Sequence, residues 1–206
     1  MNQATDIVER DWWKLFQQGD MAAFKNLYQR YFHRLFSYGQ KLCHSPEILE
    51  DALQDFFMKL MRNRENLVLP DSVQAYMLGA FRMFLTDKLK QYKSRLQKEI
   101  PAEGFFEFGE IHDSVMIKEL DAEQQQLLQD ALNQLTARQR EAIYLRYFEG
   151  LDYEALARLL ELSQKGTYKL IGRAVGAMRE HVEKRMLAIS PIVILFLPEI
   201  FTTQTG

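Results

Sequence analysis

The sequence has one cysteine, few prolines and glycines, and no large excess of charge of either sign. The single cysteine, Cys43, cannot form a disulfide within the chain, which is typical of proteins from a reducing compartment. Five prolines and ten glycines in 206 residues exclude a collagen-like or proline-rich fibrous chain. A net charge of −2 means that any binding of nucleic acid must depend on local basic patches.

The beginning of the chain also lacks the apolar stretch of a signal peptide. Acidic residues interrupt the first twenty positions, at Asp6, Glu9, Asp11 and Asp20. Apolar residues make up 47% of the chain and charged residues 26%, as in ordinary globular proteins. We therefore expect a folded, cytoplasmic protein.

Apolar residues recur at spacings of three and four over the first hundred residues, and no comparable stretch alternates with a period of two. The runs extend from Leu15 to Phe36, from Leu49 to Met61 and from Tyr76 to Leu89. This periodicity predicts amphipathic helices that pack together. Ser45, followed by Pro46, is a candidate N-cap at the first break, and a second break lies at 69–72. The pattern favours an all-α domain.

The composition changes at residues 99–123, which contain eight acidic residues and one basic residue. Pro101, Gly104 and Gly109 lie in the same stretch, and no period is sustained, so it is typical of a linker. A helical pattern resumes near Glu123. We therefore expect two helical domains, at 8–97 and 124–185, joined by an acidic linker at 98–123 and followed by an apolar tail at 186–206.

Two local patches are strongly basic, one in each expected domain. Each patch holds six basic residues, within 82–98 and within 163–185. A basic patch in each domain indicates a protein that contacts nucleic acid at two places. The alternative is that both patches are solvated helix faces.

Residues 149–174 have the pattern of a helix-turn-helix. Asp152 would cap a helix from Tyr153 to Leu160, and Ser163 would cap the second helix. The turn position that is usually glycine is Glu161, so a residue with a side chain would have to adopt an unusual backbone conformation. An ordinary helical hairpin is the alternative. The outward positions of the second helix, where side chains can reach base edges or phosphates, are Gln164, Lys165, Tyr168, Lys169 and Arg173.

Three segments resemble the sigma-70 family of bacterial sigma factors. LTARQREAIYLRYFEGLDYEALARLLELS, at 135–163, resembles region 4, and EDALQDFFMKL, at 50–60, resembles the helix of region 2. YMLGAFRMFLTDKLKQYKSR, at 76–95, resembles the helix that melts and recognises the promoter. The order of region 2, linker and region 4 is similar to the extracytoplasmic-function group, and the recognition helix most resembles members from Bacteroidetes.

The resemblance implies an initiation factor with no catalytic site and no cofactor. Its partners would be core RNA polymerase, through the β′ clamp helices and the β flap, promoter DNA and a membrane-associated anti-sigma factor. The polymerase-binding residues of helix 47–61 would be Asp51, Gln54, Asp55 and Phe57. The phosphate-binding residues of the promoter-melting helix would be Lys88, Lys90, Lys93 and Arg95.

The resemblance further places a loop at 65–72, with Leu67, Val68 and Leu69, against the flipped minus-ten base. Met83 departs from the family pattern, which has Asn at this position. Because a thioether cannot make the paired hydrogen bonds of an amide, base recognition by Met83 is not expected. Region 4 would bind the minus-thirty-five element, and Arg138, Arg140 and Arg146 would be placed for phosphates or polymerase.

Other classes of protein remain open from the sequence. A helix-turn-helix regulator could act without core polymerase, and a helical interaction module would need both basic patches to be incidental. An enzyme is disfavoured because the four histidines show no metal-ligand spacing and no glycine-rich phosphate loop is present. The tail has an apolar run at 192–197 between two prolines, too short to span a membrane, and we expect it to pack into an apolar groove.

Overall fold

The computed structural model describes residues 3–96, 106–108 and 120–186, and the chain divides into two compact units, 1–105 and 106–206. The first unit contains helices α1 (Gln3–Gln17), α2 (Met21–Leu42), α3 (Pro46–Arg62) and α4 (Val73–Leu96), with a 3-10 turn at Arg64–Asn66. The second contains α5 (Ala122–Asn133), α6 (Ala137–Ile143), a π-helical turn at Tyr144–Phe148, α7 (Tyr153–Leu159) and α8 (Gln164–Met186). None of the described residues forms a strand, and the all-α prediction is confirmed.

Local sequence signals determine where the first helices begin. The Ser45 hydroxyl accepts a hydrogen bond from the Ile48 amide, and Pro46 occupies the first turn of α3, as predicted. The run from Leu15 to Phe36 is not one helix, because Gly19 adopts a φ of +95° and ends α1. The Asp20 carboxylate then caps α2 by accepting from the Ala22 and Ala23 amides.

The first unit has an aromatic core around α2, which packs against α1, α3 and α4. Its largest fully buried side chains include Trp13, Phe16, Tyr31 and Phe81. Gly39 lets α2 and α3 approach closely, because a Cβ at this position would overlap the Leu49 side chain. This packing fixes the relative positions of α3 and α4, the two helices with the expected binding residues.

The second unit is organised around α8, which packs against α5, α6 and α7. Phe106 and Phe108, from within the expected linker, are 1% and 3% exposed in this unit. Phe106 contacts the Tyr144 ring, and its carbonyl accepts a hydrogen bond of 2.8 Å from Arg140 Nε. The stretch 98–123 therefore includes a segment that belongs to the packed core of the second unit.

The expected apolar tail at 186–206 lies outside the described residues except for Met186, the last residue of α8, and most of the acidic linker lies outside them as well. Over the described part of the chain, no helix is both long and apolar enough to cross a membrane.

Candidate functional site

Helix α3 presents a strip of polar side chains, which we call the acidic strip: Asp51, Gln54 and Asp55. All three are exposed, and the two aspartates lie one helical turn apart. The opposite face of α3 is buried through Leu49, Leu53, Phe56 and Leu60.

Phe57, the fourth residue predicted to contact polymerase, lies on the buried face of α3. Its side chain is 4% exposed and packs on the Phe24 and Tyr28 rings of α2. Phe57 is therefore a core residue that positions α3, and its contact with polymerase stays a prediction.

Lys88 of α4 faces the acidic strip. Its Nζ lies 2.7 Å from Asp55 Oδ2 and 4.0 Å from Asp51 Oδ2, and its side chain is 19% exposed. In this structure the ammonium group of Lys88 is directed at two carboxylates of the neighbouring helix, and its binding to DNA phosphates stays a prediction.

Other residues of α4 that the sequence analysis singled out differ in how far they are exposed. Lys90 is exposed, whereas the side chains of Lys93 and Arg95 lie outside the described part of α4. Met83 is 59% exposed. Tyr76, by contrast, packs edge-on against Trp13 at 5.0 Å, and burial raises the pKa of its hydroxyl, so it is a packing residue.

The loop before α4 is fixed at both ends to α1. The Gln17 side-chain amide donates to the Leu67 carbonyl, and Arg10 Nη1 donates to the Asp71 carbonyl at 3.1 Å. Between these anchors, the Val68 side chain is 81% exposed. The Val68 side chain is therefore exposed on a loop whose backbone is fixed at both ends, while Leu67 and Leu69 are half-buried.

The helix-turn-helix is formed by α7 and α8, and this prediction is confirmed. The Asp152 carboxylate accepts from the Ala155 amide at 2.7 Å, and the Ser163 hydroxyl accepts from the Gly166 amide at 3.0 Å. Glu161 adopts a φ of +54°, the left-handed conformation that its position in the turn predicted. Helix α7 ends one residue earlier than expected, at Leu159.

The amino-terminal half of α8 has two distinct faces. Thr167, Ile171 and Ala174 are buried against the rest of the unit. The exposed face, which we call the recognition face, comprises all five residues predicted to contact DNA: Gln164, Lys165, Tyr168, Lys169 and Arg173. Neither aspartate nor glutamate lies among these five, so the face is basic.

Tyr168 is 47% exposed and stacks on the Tyr153 ring of α7, with ring centroids 4.1 Å apart and an interplanar angle of 21°. The Arg146 guanidinium lies over the same Tyr153 ring, 4.7 Å from its centroid. The sequence does not predict this arrangement, because Arg146 lies in a π-helical turn and the apolar pattern does not show where the chain leaves α-helical geometry.

The three arginines expected near phosphates or polymerase have partners within the second unit. Arg138 Nη2 donates to the Leu160 carbonyl at 3.1 Å, and Arg146 Nη1 donates to the Leu151 carbonyl at 2.8 Å. Arg140 bonds the Phe106 carbonyl. All three therefore hold loops of this unit in place, and their contact with phosphates or polymerase stays a prediction.

Among the described residues, no group of histidine, cysteine, aspartate or glutamate side chains is arranged to hold a metal ion. What the structure presents is two polar surfaces, the acidic strip in the first unit and the recognition face in the second. These surfaces suit a basic protein partner and a DNA major groove, respectively.

Two family models match the chain, and together they cover more than half of it. Residues 27–95 match sigma-70 region 2, and residues 125–178 match sigma-70 region 4. The first match contains α3 with the whole acidic strip, and the second contains the helix-turn-helix.

Several known sigma factors are similar to the chain over most of its length. The RNA polymerase sigma-H factor of Pseudomonas aeruginosa is 25% identical over 93% of this chain and 96% of its own. The extracytoplasmic-function factor SigX of Bacillus subtilis is 22% identical over 78% of this chain and 84% of its own.

Two solved structures share the fold. The sigma factor RpoE of Bartonella quintana, in complex with the anti-sigma factor NepR, has a TM-score of 0.55 at 21% identity. The match covers 78% of this chain and 96% of that one. CnrH, in complex with the cytosolic domain of CnrY, has a TM-score of 0.56 at 18% identity, over 89% and 99% of the two chains.

Proposed function

The chain belongs to the sigma-70 family, in the extracytoplasmic-function group, and we propose that the acidic strip and the recognition face are the surfaces by which it engages polymerase and promoter. As a sigma factor, it binds core RNA polymerase and directs it to specific promoters. The observation that supports the residue assignment is that each matched region presents one exposed polar surface of the charge its partner requires. A helix-turn-helix regulator acting without polymerase would have no use for the region 2 surface.

The acidic strip is proposed to bind the β′ clamp helices. Asp51 and Asp55 are exposed on one side of α3, and Gln54 adds hydrogen-bonding capacity beside them. Carboxylates at the rim of an interface attract a basic partner and orient it. Phe57 contributes to this surface by holding α3 against α2. Region 4 is proposed to bind the β flap.

The recognition face is proposed to bind the minus-thirty-five element in the major groove. Lys165, Lys169 and Arg173 can bond base edges or phosphates, and the first turns of a recognition helix lie nearest the bases. In region 2, Lys90, Lys93 and Arg95 are proposed to bind phosphates near the minus-ten element. Val68 is proposed to contact the flipped base, since its side chain is the exposed member of the anchored loop.

Further proposals concern the cellular setting. We propose that the chain is cytoplasmic and that a membrane-associated anti-sigma factor holds it inactive. Two sigma factors of the same fold were solved with anti-sigma partners, which supports the existence of such a partner here. We also propose that the chain is related to family members from Bacteroidetes, because its recognition helix is basic and contains a tyrosine. Affinity purification of the tagged chain from solubilised membranes, with identification of the captured protein, tests the anti-sigma proposal.

Run-off transcription with cognate core polymerase on genomic fragments tests the main proposal. The wild-type chain should initiate at defined sites that core polymerase alone ignores. Asp55→Lys should abolish binding to core polymerase, whereas Asp11→Lys, the same charge change on α1, should leave it intact. Lys169→Ala and Arg173→Ala should weaken minus-thirty-five recognition and retain core binding. Normal core binding by Asp55→Lys would overturn the assignment of the acidic strip.

A further inference from the structure

We propose that Tyr153 and Arg146 act as positioning residues that hold Tyr168 as a rigid apolar contact for a thymine methyl group in the minus-thirty-five element. The proposal rests on the proposed function, because it requires the recognition face to lie in the major groove. It adds a specificity determinant, the C5-methyl group, and two residues outside α8 that support its recognition.

The stack fixes the orientation of the Tyr168 ring. Tyr168 and Tyr153 lie nearly parallel, with centroids 4.1 Å apart, so one face of the Tyr168 ring is covered by α7. An exposed tyrosine on a helix otherwise samples several rotamers, and stacking on a neighbouring ring restricts them. Because the ring is ordered before binding, less side-chain entropy is lost when DNA is bound.

Tyr153 is in turn held by Arg146. The guanidinium lies 4.7 Å from the Tyr153 centroid, a cation–π distance, and its Nη1 donates to the Leu151 carbonyl at 2.8 Å. Leu151 is fully buried, so this carbonyl is a fixed anchor. The π-helical turn at Tyr144–Phe148 brings Arg146 to this position, and such turns occur frequently at functional sites.

Tyr168 keeps 47% of its surface exposed although its ring is stacked on Tyr153. Tyr168 is the fifth residue of α8, within the part of a recognition helix that lies nearest the base edges. In the major groove, the apolar group that distinguishes one base pair from another is the thymine C5-methyl group, and apolar side chains recognise thymine through it. An aromatic face held at this position therefore selects thymine, while its basic neighbours Lys165 and Lys169 bond phosphates and polar base edges.

The test uses the full chain with core polymerase and a minus-thirty-five duplex selected by this holoenzyme from a randomised library. Each thymine of the duplex is replaced in turn by deoxyuridine, which removes the methyl group and keeps every hydrogen-bonding group. For the wild type, we expect deoxyuridine at one or two positions to weaken binding about three- to ten-fold, the effect of one buried methyl group. Tyr168→Ala should bind the thymine and deoxyuridine duplexes equally.

The positioning role of Tyr153 and Arg146 is tested by comparing variants that remove the supporting group with variants that keep it. Tyr153→Ala and Arg146→Met should reduce the thymine preference of the intact Tyr168, whereas Tyr153→Phe, which keeps the ring, should retain it. Tyr168→Phe should also retain it, because the hydroxyl group is not used. Equal binding of thymine and deoxyuridine by the wild type, or an unchanged thymine preference in Tyr153→Ala, would overturn the proposal.

Failure of the proposed function would give a different result. If the recognition face did not contact DNA, Lys169→Ala and Arg173→Ala would bind the selected duplex as tightly as the wild type. If they bind more weakly while deoxyuridine has no effect on the wild type, the recognition face stands and the methyl contact is refuted.

Discussion

Lys88 Nζ of α4 lies 2.7 Å from Asp55 Oδ2 of α3. This ion pair connects α4, which is proposed to contact the promoter, with α3, which is proposed to contact polymerase. Asp51 approaches the same ammonium group at 4.0 Å. Both carboxylates are largely exposed, so the ion pairs are partly screened and contribute at most about 1 kcal/mol to folding. Their main consequence is for binding, since Lys88 competes with any basic partner for the acidic strip.

Replacing Lys88 by methionine should therefore increase the affinity of the chain for core polymerase. The change removes the competing ammonium group and keeps an unbranched side chain between α3 and α4. We expect an increase of up to about five-fold at low salt, which matches an ion pair of about 1 kcal/mol. Equilibrium binding of labelled chain to core polymerase measures it, and Lys25→Met, an exposed lysine of α2, is the control for net charge. Weaker binding of Lys88→Met would show that Lys88 aligns the strip for polymerase instead.

The buried Tyr31 makes the stability of the chain fall at alkaline pH. Burial, together with the hydrogen bond from its hydroxyl to the Glu9 carboxylate, raises the pKa of Tyr31 well above its usual value. In the unfolded chain the phenol loses its proton near pH 10, while in the folded chain it keeps it. The contribution is fully present below pH 10 and is lost as the pH rises, at about 1.4 kcal/mol per pH unit.

Urea unfolding of the wild type and of Tyr31→Phe between pH 8 and pH 11 measures this effect. At pH 8 the variant should be less stable by about 1–2 kcal/mol, because Glu9 loses a hydrogen bond in the core. Above pH 10 the difference in the free energy of unfolding between the wild type and the variant should shrink. The variant should lose stability less steeply with pH than the wild type. The pKa values of Tyr76 and Tyr147 are also raised by burial, so part of the alkaline loss should persist. Parallel pH profiles would refute the role of Tyr31.

The turn of the helix-turn-helix contains backbone strain at Glu161. Its φ of +54° costs a residue with a Cβ about 1–2 kcal/mol, and glycine avoids most of this cost. We expect Glu161→Gly to stabilise the second unit by about 0.5–1 kcal/mol after the greater entropy of unfolded glycine is subtracted. Glu161→Ala removes the same charge and keeps the Cβ, so it should give no such gain in thermal unfolding. Equal melting temperatures of the two variants would contradict the strain argument.

The elements that the sequence predicted well are those determined by local chemistry. Ser45 and Pro46 begin α3, Asp152 and Ser163 cap the two helices of the helix-turn-helix, and Glu161 takes the conformation expected for its turn position. Each of these depends on hydrogen bonds or sterics within a few residues, so the pattern alone specifies it.

The features that the sequence did not predict depend on contacts between distant residues. The pattern along α3 places Phe57 on the apolar face, but it does not specify which rings of α2, those of Phe24 and Tyr28, cover it. Lys88 meets Asp55 across 33 positions, and the stack of Arg146, Tyr153 and Tyr168 joins three different elements. Phe106 and Phe108 were assigned to the linker because their acidic neighbours dominate the local composition.

That last pair gives the sharpest test of where the second unit begins. The ring centroids of Phe106 and Phe108 are 5.8 Å apart, and the Phe108 ring also packs on the Phe148 ring, with centroids 5.2 Å apart. Phe106→Ala should destabilise the second unit by about 3–5 kcal/mol, the usual cost of removing a buried phenylalanine ring. Glu107→Ala, between the two rings and exposed, should have little effect.

Hydrogen exchange of the full-length variants, followed peptide by peptide, separates the two units in one measurement. In Phe106→Ala, amides of α5, α6 and α8 should exchange faster, while those of α1 to α4 should keep their wild-type rates. Binding to the minus-thirty-five duplex should weaken in parallel, because the recognition face depends on the fold of this unit. If exchange in α5 to α8 were unchanged, residues 106–108 would not support the second unit, and the acidic segment would act as a tether over its whole length.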